Sequence, residues 1–307
     1  MIKFTADTLQ YLSLILLLSV AQLIINNSVK AEEDAAPAKS SEVTKPASNK
    51  KTMTRAESIK PPTDLQQQFQ NDLKHYVGKT EALLIGTEEV ITLFESSQTA
   101  NNKGVVLLIP DWQQPAINPR SINFLRKTLP EHGWATLTVQ PFNKPKNYPS
   151  MALKAVEQQE ENDKILTDYK LQLGQLYQAM MDKVANMPGI FILISEGNNA
   201  GFLVDIINQE TSKKPHAMVM LSAYQLTETA NINLAKNVAI SEMPMLDLRL
   251  KRDHLNVQAS AKLRKTQSEK ELKVLYRQQE IANFTPSYYP EDDLLKAIQG
   301  WLKTIGW

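Results

Sequence analysis

The chain has 307 residues, 42% of them hydrophobic and 22% charged, with a formal net charge of +1, the makeup of an ordinary globular protein. Setting aside residues 1–31, which carry Lys3, Lys30 and Asp7, leaves 32 basic against 32 acidic residues, so no charge excess draws a phosphate backbone and no nucleic-acid partner is expected. There is no cysteine, which excludes disulfides, thiol catalysis, cysteine-held metals and a lipidated cysteine.

The N-terminus reads as an export signal. Lys3 lies in a short polar start, and Tyr11 to Ile25 is apolar apart from Ser13, Ser19 and Gln22. Ser28-Val29-Lys30-Ala31 then ends in a small-x-small cleavage frame. This predicts a signal peptide over residues 1–31 and an exported, periplasmic protein. The alternative is a retained inner-membrane anchor at residues 9–25, which would be the chain's one contact with a membrane. Residues 32–63 are rich in Ala, Pro, Ser, Lys, Thr and Glu and nearly free of large apolar side chains, so they cannot bury enough surface to offset the entropy of ordering. They are expected to be a disordered linker ahead of one domain over residues 64–307.

Within that domain, Asp64 caps a predicted helix whose apolar stripe is Leu65, Phe69, Leu73, Tyr76 and Val77, and Gly78 ends it. Residues 82–85 and 90–94 read as a strand pair. Val105 to Ile109 is a continuous apolar run, as in a parallel strand covered on both faces. A loop from Pro110 to Pro119 leads into a helix over 120–132, stopped by Gly133, and a strand over 134–139 follows. Strand, helix, strand requires a crossover, hence a parallel α/β sheet. Residues 143–163, polar and broken by Pro145 and Pro149, read as a partly helical insertion over the carboxyl edge, in the manner of a lid. A long helix follows through Val184. Further strands are expected at 217–221, 245–250 and 272–276, with a polar helix from about residue 257 before the last of them. The final helix starts at Asp292 or Asp293.

Residues 190–207 organise the rest. Ile190 to Ile194 forms a buried strand, small and polar residues follow from Ser195 to Gly201, and Phe202, Leu203, Ile206 and Ile207 recur at helical spacing. An α/β hydrolase presents its nucleophile on such a strand–turn–helix. The frame here is Ser195-Glu196-Gly197-Asn198-Asn199, which puts Gly197, with no side chain, at the nucleophile position.

The strand exit Gly104-Val-Val-Leu-Leu-Ile-Pro, the segment Leu129-Pro-Glu-His-Gly-Trp-Ala-Thr-Leu and the glycine turn together resemble the exported α/β-hydrolase-like family known as domain of unknown function 3530. The resemblance implies an α/β-hydrolase-like fold: a mostly parallel central sheet flanked by helices, with an N-terminal helix and strand pair. It implies little about activity.

A serine hydrolase needs nucleophile, acid and His in that chain order. Asp253, after the strand that begins near Pro244, suits the acid position, and a turn or capping aspartate suits the same sequence. No His lies between Leu272 and Pro290, where the third member belongs; His75, His132, His216 and His254 lie elsewhere. Ser195 becomes a nucleophile only if the turn shifts by two residues, which places bulky Leu193 where close packing needs a small side chain. Glu196 is either a general base or a solvated turn carboxylate. For binding, the backbone N–H groups of Asn198 and Asn199 at a helix N-terminus suit an anion or polar oxygen. Asp111 and Trp112 leave the neighbouring strand on the ligand-binding edge of the sheet. Trp112 either stacks on a ligand ring or packs under the insertion. Asp247 and Arg249 share a strand face and suit a structural ion pair with each other. No metal-ligand spacing, phosphate loop or dinucleotide fingerprint occurs, so no metal or cofactor is expected.

These features predict an exported pseudoenzyme that binds a small molecule, glycan fragment or envelope protein at the carboxyl edge of the sheet. Two readings stand beside it. One is an esterase-like hydrolase using Ser195, Glu196 or Asp253; the other is an interaction scaffold marked by an exposed apolar patch near the insertion.

Overall fold

The computed structural model describes residues 64–75, 80–86, 88–209 and 213–307; the expected signal peptide and linker lie outside the described residues. The elements, in chain order, are α1 (Leu65–His75), β1 (Thr80–Ile85), β2 (Glu88–Glu95), β3 (Gly104–Ile109), α2 (Ser121–Thr128), β4 (Trp134–Val139), α3 (Ala155–Val184), β5 (Ile190–Glu196), α4 (Gly197–Ile207), β6 (Ala217–Leu221), α5 (Glu228–Ile240), β7 (Met245–Leu250), α6 (Leu255–Lys270), β8 (Tyr276–Ile281) and α7 (Glu291–Thr304). The eight strands make one sheet in the order β1-β2-β4-β3-β5-β6-β7-β8. β1 and β2 pair antiparallel, β2 joins β4 antiparallel, and every other pairing is parallel.

The apolar runs are continuous because both sheet faces are covered. Side chains alternate along each strand. In β3, Val105, Leu107 and Ile109 pack on one face with Leu173 of α3, Phe202 of α4 and Leu234 of α5. Val106 and Leu108 pack on the other with Ile122 and Leu125 of α2 and Leu294, Ile298 and Trp301 of α7. The core therefore lies on both sides of β3, β5 and β6, the central strands that lead into the elbow.

Three boundaries differ most from the sequence expectations; the final helix also starts earlier than Asp292 or Asp293, at Glu291 after Pro290. The helix expected over 120–132 ends as α2 at Thr128, and a 3-10 turn, Leu129–His132, takes over with Pro130 near its start. Proline has no N–H to donate and crowds the preceding turn, so the α-helical ladder stops there. The insertion expected over 143–163 is irregular only through residue 154, because its second half is the opening of the 30-residue helix α3. The last strand is not at 272–276 but at β8, Tyr276–Ile281. The apolar run before it is an exposed turn, with Leu272 at 82% and Val274 at 90% exposure. A strand at the sheet's edge has a partner on one side only and tolerates polar side chains such as Arg277, Gln278, Gln279 and Glu280.

Asp247 and Arg249 do not form the expected pair with each other; each meets a different partner, because β8 and the helix α6 bring closer charges to their face. Asp247 takes both nitrogens of a bidentate Arg264 guanidinium at 2.8 and 2.9 Å, with both side chains fully buried. Arg249 pairs with Glu280 at 2.6 Å.

Candidate functional site

β5 ends at Glu196 and α4 begins at Gly197, whose φ of +62° lies in the left-handed region that disfavours a Cβ. The predicted turn register is the one adopted. What sits against it is Asp111, on the loop leaving the adjacent strand β3. A Cβ built on Gly197 would lie 2.5 Å from Asp111 Cγ and 2.7 Å from its Oδ1. The volume into which a nucleophile's side chain would project is therefore filled by an aspartate carboxyl group.

The same carboxyl consumes the backbone donors. Asp111 Oδ1 accepts the N–H of Asn198 at 2.9 Å and that of Asn199 at 3.4 Å, at the positive end of α4. The anion expected at these amides comes from within the chain, so they are not vacant for a ligand. Burial pushes the Asp111 carboxyl up to about 6, and the N–H bonds from Trp112, Asn198 and Asn199 oppose that rise. Asn199 is tied down at its side chain too: its Nδ2 donates to the Pro110 carbonyl at 2.9 Å, and its Oδ1 lies 2.8 Å from the Tyr169 hydroxyl. The Asn198 side chain favours the ionised forms of Asp111 and Tyr224, opposing the rise that burial causes in each, while its Oδ1 is buried without a partner.

Glu196 is not the solvated turn carboxylate that the sequence also allowed. It is partly buried and accepts the Ser121 hydroxyl at 2.8 Å. Burial raises it to about 7, assisted by the charges of Asp111 and Asp253 and opposed by the Ser121 bond and Arg120. Asp111 and Glu196 are thus two partly buried acids at one turn, the charge of Asp111 helping to raise Glu196.

Asp253 sits after β7, where the acid was expected. Its Oδ2 accepts the Ser222 hydroxyl at 2.5 Å and the Leu250 N–H at 3.1 Å. Ser222 has φ of 48°, a left-handed conformation for a residue with a side chain, and its Oγ is also 2.7 Å from the Tyr289 hydroxyl. Tyr289 in turn donates to the Leu248 carbonyl at 2.9 Å. Tyr289 is fully buried on the loop after β8, the loop that carries the His in a serine hydrolase. His254 caps α6, its Nδ1 accepting the Asn256 N–H at 3.2 Å, and its ring stacks on Tyr224 at 5.8 Å.

Two candidates are withdrawn from the surface. Ser195 is fully buried within β5, its hydroxyl donating to the Ile109 carbonyl at 2.9 Å across the sheet. Trp112 is 2% exposed and packs its ring against Tyr148, Tyr169 and Phe202, so it adopts the packed alternative. Ser121, Ser222 and Tyr224 join the site without having been singled out from sequence, as does Tyr289, whose segment Tyr288-Tyr289-Pro290 reads from sequence only as an ordered loop against the final helix. Single hydroxyl side chains in loops or at a helix start carry no periodic signal, and only the sheet brings these four together. Among the described residues, no group of three or more His, Asp or Glu side chains is placed to hold a metal ion.

Solved structures share this architecture at low sequence identity. Est1E from Butyrivibrio proteoclasticus matches with a TM-score of 0.54 and 11% identity, over 74% of this chain and 99% of that one. Thermogutta terrifontis esterase 2, in a form phosphoramylated by tabun, matches at 0.52 and 9%, over 74% and 95%. A protein of unknown function from Agrobacterium tumefaciens matches at 0.51 and 9%, over 74% and 96%. These likenesses show an α/β-hydrolase fold. No curated protein sequence matches the chain. A family model does match, over residues 12–304, and the chain belongs to the family described as Protein of unknown function (DUF3530).

Proposed function

We propose that this protein is a binding protein built on a hydrolase scaffold, a pseudoenzyme without a Ser-His-Asp triad. One observation carries the reading: the Asp111 carboxyl occupies the nucleophile's space against Gly197 and caps the amides of Asn198 and Asn199. Acyl transfer needs a nucleophile and free donors for the oxyanion, and one side chain takes the place of both. The turn gathers acceptors: the carboxyls of Asp111, Glu196 and Asp253 and the buried, unpartnered Oδ1 of Asn198. Acceptors in this number repel an anion and suit a ligand rich in hydrogen-bond donors, and a neutral glycan fragment has that chemistry. On this reading the apolar N-terminal segment acts as an export signal and the protein works in the periplasm.

A second reading has one observation in its favour. Glu196, pushed up to about 7, is poised as a general base for water, the condition of an esterase-like enzyme with a carboxylate in place of serine. Exposing the full chain to a fluorophosphonate reagent and to a panel of esters separates the readings. Binding alone predicts no labelling, no turnover, and a thermal shift with neutral oligosaccharides. Turnover lost in Glu196→Gln would establish the second reading, and labelling lost in Ser195→Ala would overturn both.

A further inference from the structure

Asn143, on the connection between β4 and α3, carries an unmet amide. Its Oδ1 and Nδ2 are both withheld from solvent, and among the described residues neither has a hydrogen-bond partner. Asn199, by contrast, is bonded at both ends of its side chain. Stranding a donor and an acceptor together costs stability, and an apolar side chain at the same position would escape that cost. Departures of this kind gather at functional sites.

Two clefts meet at this residue. One, of about 410 Å³, is walled by the half-buried rings of Phe69 and Tyr148 against Trp112. The other, of about 290 Å³, is lined by Phe142, Ile165 and Tyr169. The Tyr169 hydroxyl lies 2.8 Å from Asn199 Oδ1, so this second cleft adjoins the elbow. The charges around the clefts are mixed. Lys144 and Lys146 line one, Glu88 and Asp168 the other, Asp64 pairs with Lys146 at 3.0 Å, and Asp163 lies near enough to Tyr148 to act on its hydroxyl. Neither sign dominates the walls, and the group left without a partner is uncharged.

We propose that these clefts seat a neutral pyranose ring of the glycan, with Asn143 as its polar anchor. The inference rests on the binding reading above and gives that ligand its place. A turn about the Cβ–Cγ bond of Asn143, a broad torsion, brings the amide into either cleft. There Nδ2 donates to one sugar hydroxyl and Oδ1 accepts from the next, because a hydroxyl both donates and accepts. The C–H face of the ring packs on Phe69 and Tyr148. Aromatic walls with a few placed polar groups, in a cleft of roughly 300–1,000 Å³, are the usual makeup of a small-molecule site.

Calorimetric titration of the full chain with maltotriose, cellotriose and chitotriose tests this, beside urea unfolding of the unliganded protein. Wild type should bind at least one of the three. Asn143→Leu should weaken that binding by about tenfold or more through two lost hydrogen bonds, yet raise the urea midpoint, because the stranded amide is gone. Tyr148→Leu, which keeps apolar bulk but loses the ring, should weaken binding as well. An amide with a merely structural role would lower affinity and midpoint together in Asn143→Leu, and that outcome would overturn the proposal. Unchanged affinity in both variants would overturn it too, while leaving the binding reading intact. A wild type that binds none of the three would overturn the binding reading itself and this inference with it.

Discussion

At the residue scale, Asp111 and Glu196 make stability depend on pH. Asp111 moves from an ordinary 3.8 to about 6, and Glu196 from 4.5 to about 7, because burial penalises their charged forms. The folded state therefore holds these protons more tightly than the unfolded chain. Their stabilising contribution is complete below the unfolded values and is lost as pH rises through the folded ones. Urea unfolding should show stability falling from about pH 4 to about pH 7 by on the order of 2 kcal/mol per group, less if the two titrate as a pair. Asp111→Asn combined with Glu196→Gln should flatten that slope; an unchanged slope would place its origin elsewhere. The Asp253 network gives a second prediction. Tyr289→Phe removes the donor to the Leu248 carbonyl and a partner of Ser222, and should cost about 1–3 kcal/mol in the same assay. Sequence alone located Gly197, because an apolar run followed by small residues is a local pattern. It did not show Asp111 filling the turn, since that contact joins loops from two strands that only the parallel sheet makes neighbours.

At the element scale, α6 is held less by an apolar stripe than by charge. Fully buried Arg264 grips Asp247 of β7, donates to the Ala223 carbonyl and to Ser260, and shares Asp247 with Tyr276 and Gln278 around β8. The carboxylate keeps the guanidinium charged despite the burial that opposes it. Removing one partner strands the other's charge, so Arg264→Met should destabilise by about 3–5 kcal/mol, whereas Arg249→Met, at a partly exposed pair, should cost less than about 1 kcal/mol. Similar losses from the two variants would contradict this account. That Asp247 needs a cation was legible from its place on a strand with Arg249, but its partner, Arg264 of the following helix, was not, because only the folded sheet brings α6 against β7. β8 was not, because its Tyr-Arg-Gln-Gln-Glu-Ile sequence is polar where it borders solvent, and the apolar run before it mimics a strand while lying exposed.

At the scale of the whole molecule, the continuous runs of β3, β5 and β6 build a rigid floor beneath the elbow. Amides of Val105–Ile109, Ile192–Ser195 and Met218–Leu221 should exchange slowest with solvent, at the free energy of global unfolding, and those of β1 at the sheet's edge should exchange sooner. Hydrogen exchange by mass spectrometry reads this directly, and a β1 as protected as β5 would contradict it. The parallel sheet and its helical cover followed from apolar runs alternating with amphipathic segments, a pattern spread over most of the chain. The site differs: its residues are single polar side chains on separate loops, and their meeting is a property of the assembled edge.

The central claim, that Asp111 fills the space of a missing nucleophile, is tested most directly by a double-mutant cycle on folding stability. With Asp111 present, Gly197→Ala adds a Cβ where the carboxyl carbon would stand 2.5 Å away, in a left-handed backbone. It should cost about 2–4 kcal/mol. In an Asp111→Gly background only the backbone strain of about 1–2 kcal/mol should remain, giving a coupling of about 1 kcal/mol or more. An equal cost for Gly197→Ala in both backgrounds would mean that Asp111 does not occupy the elbow.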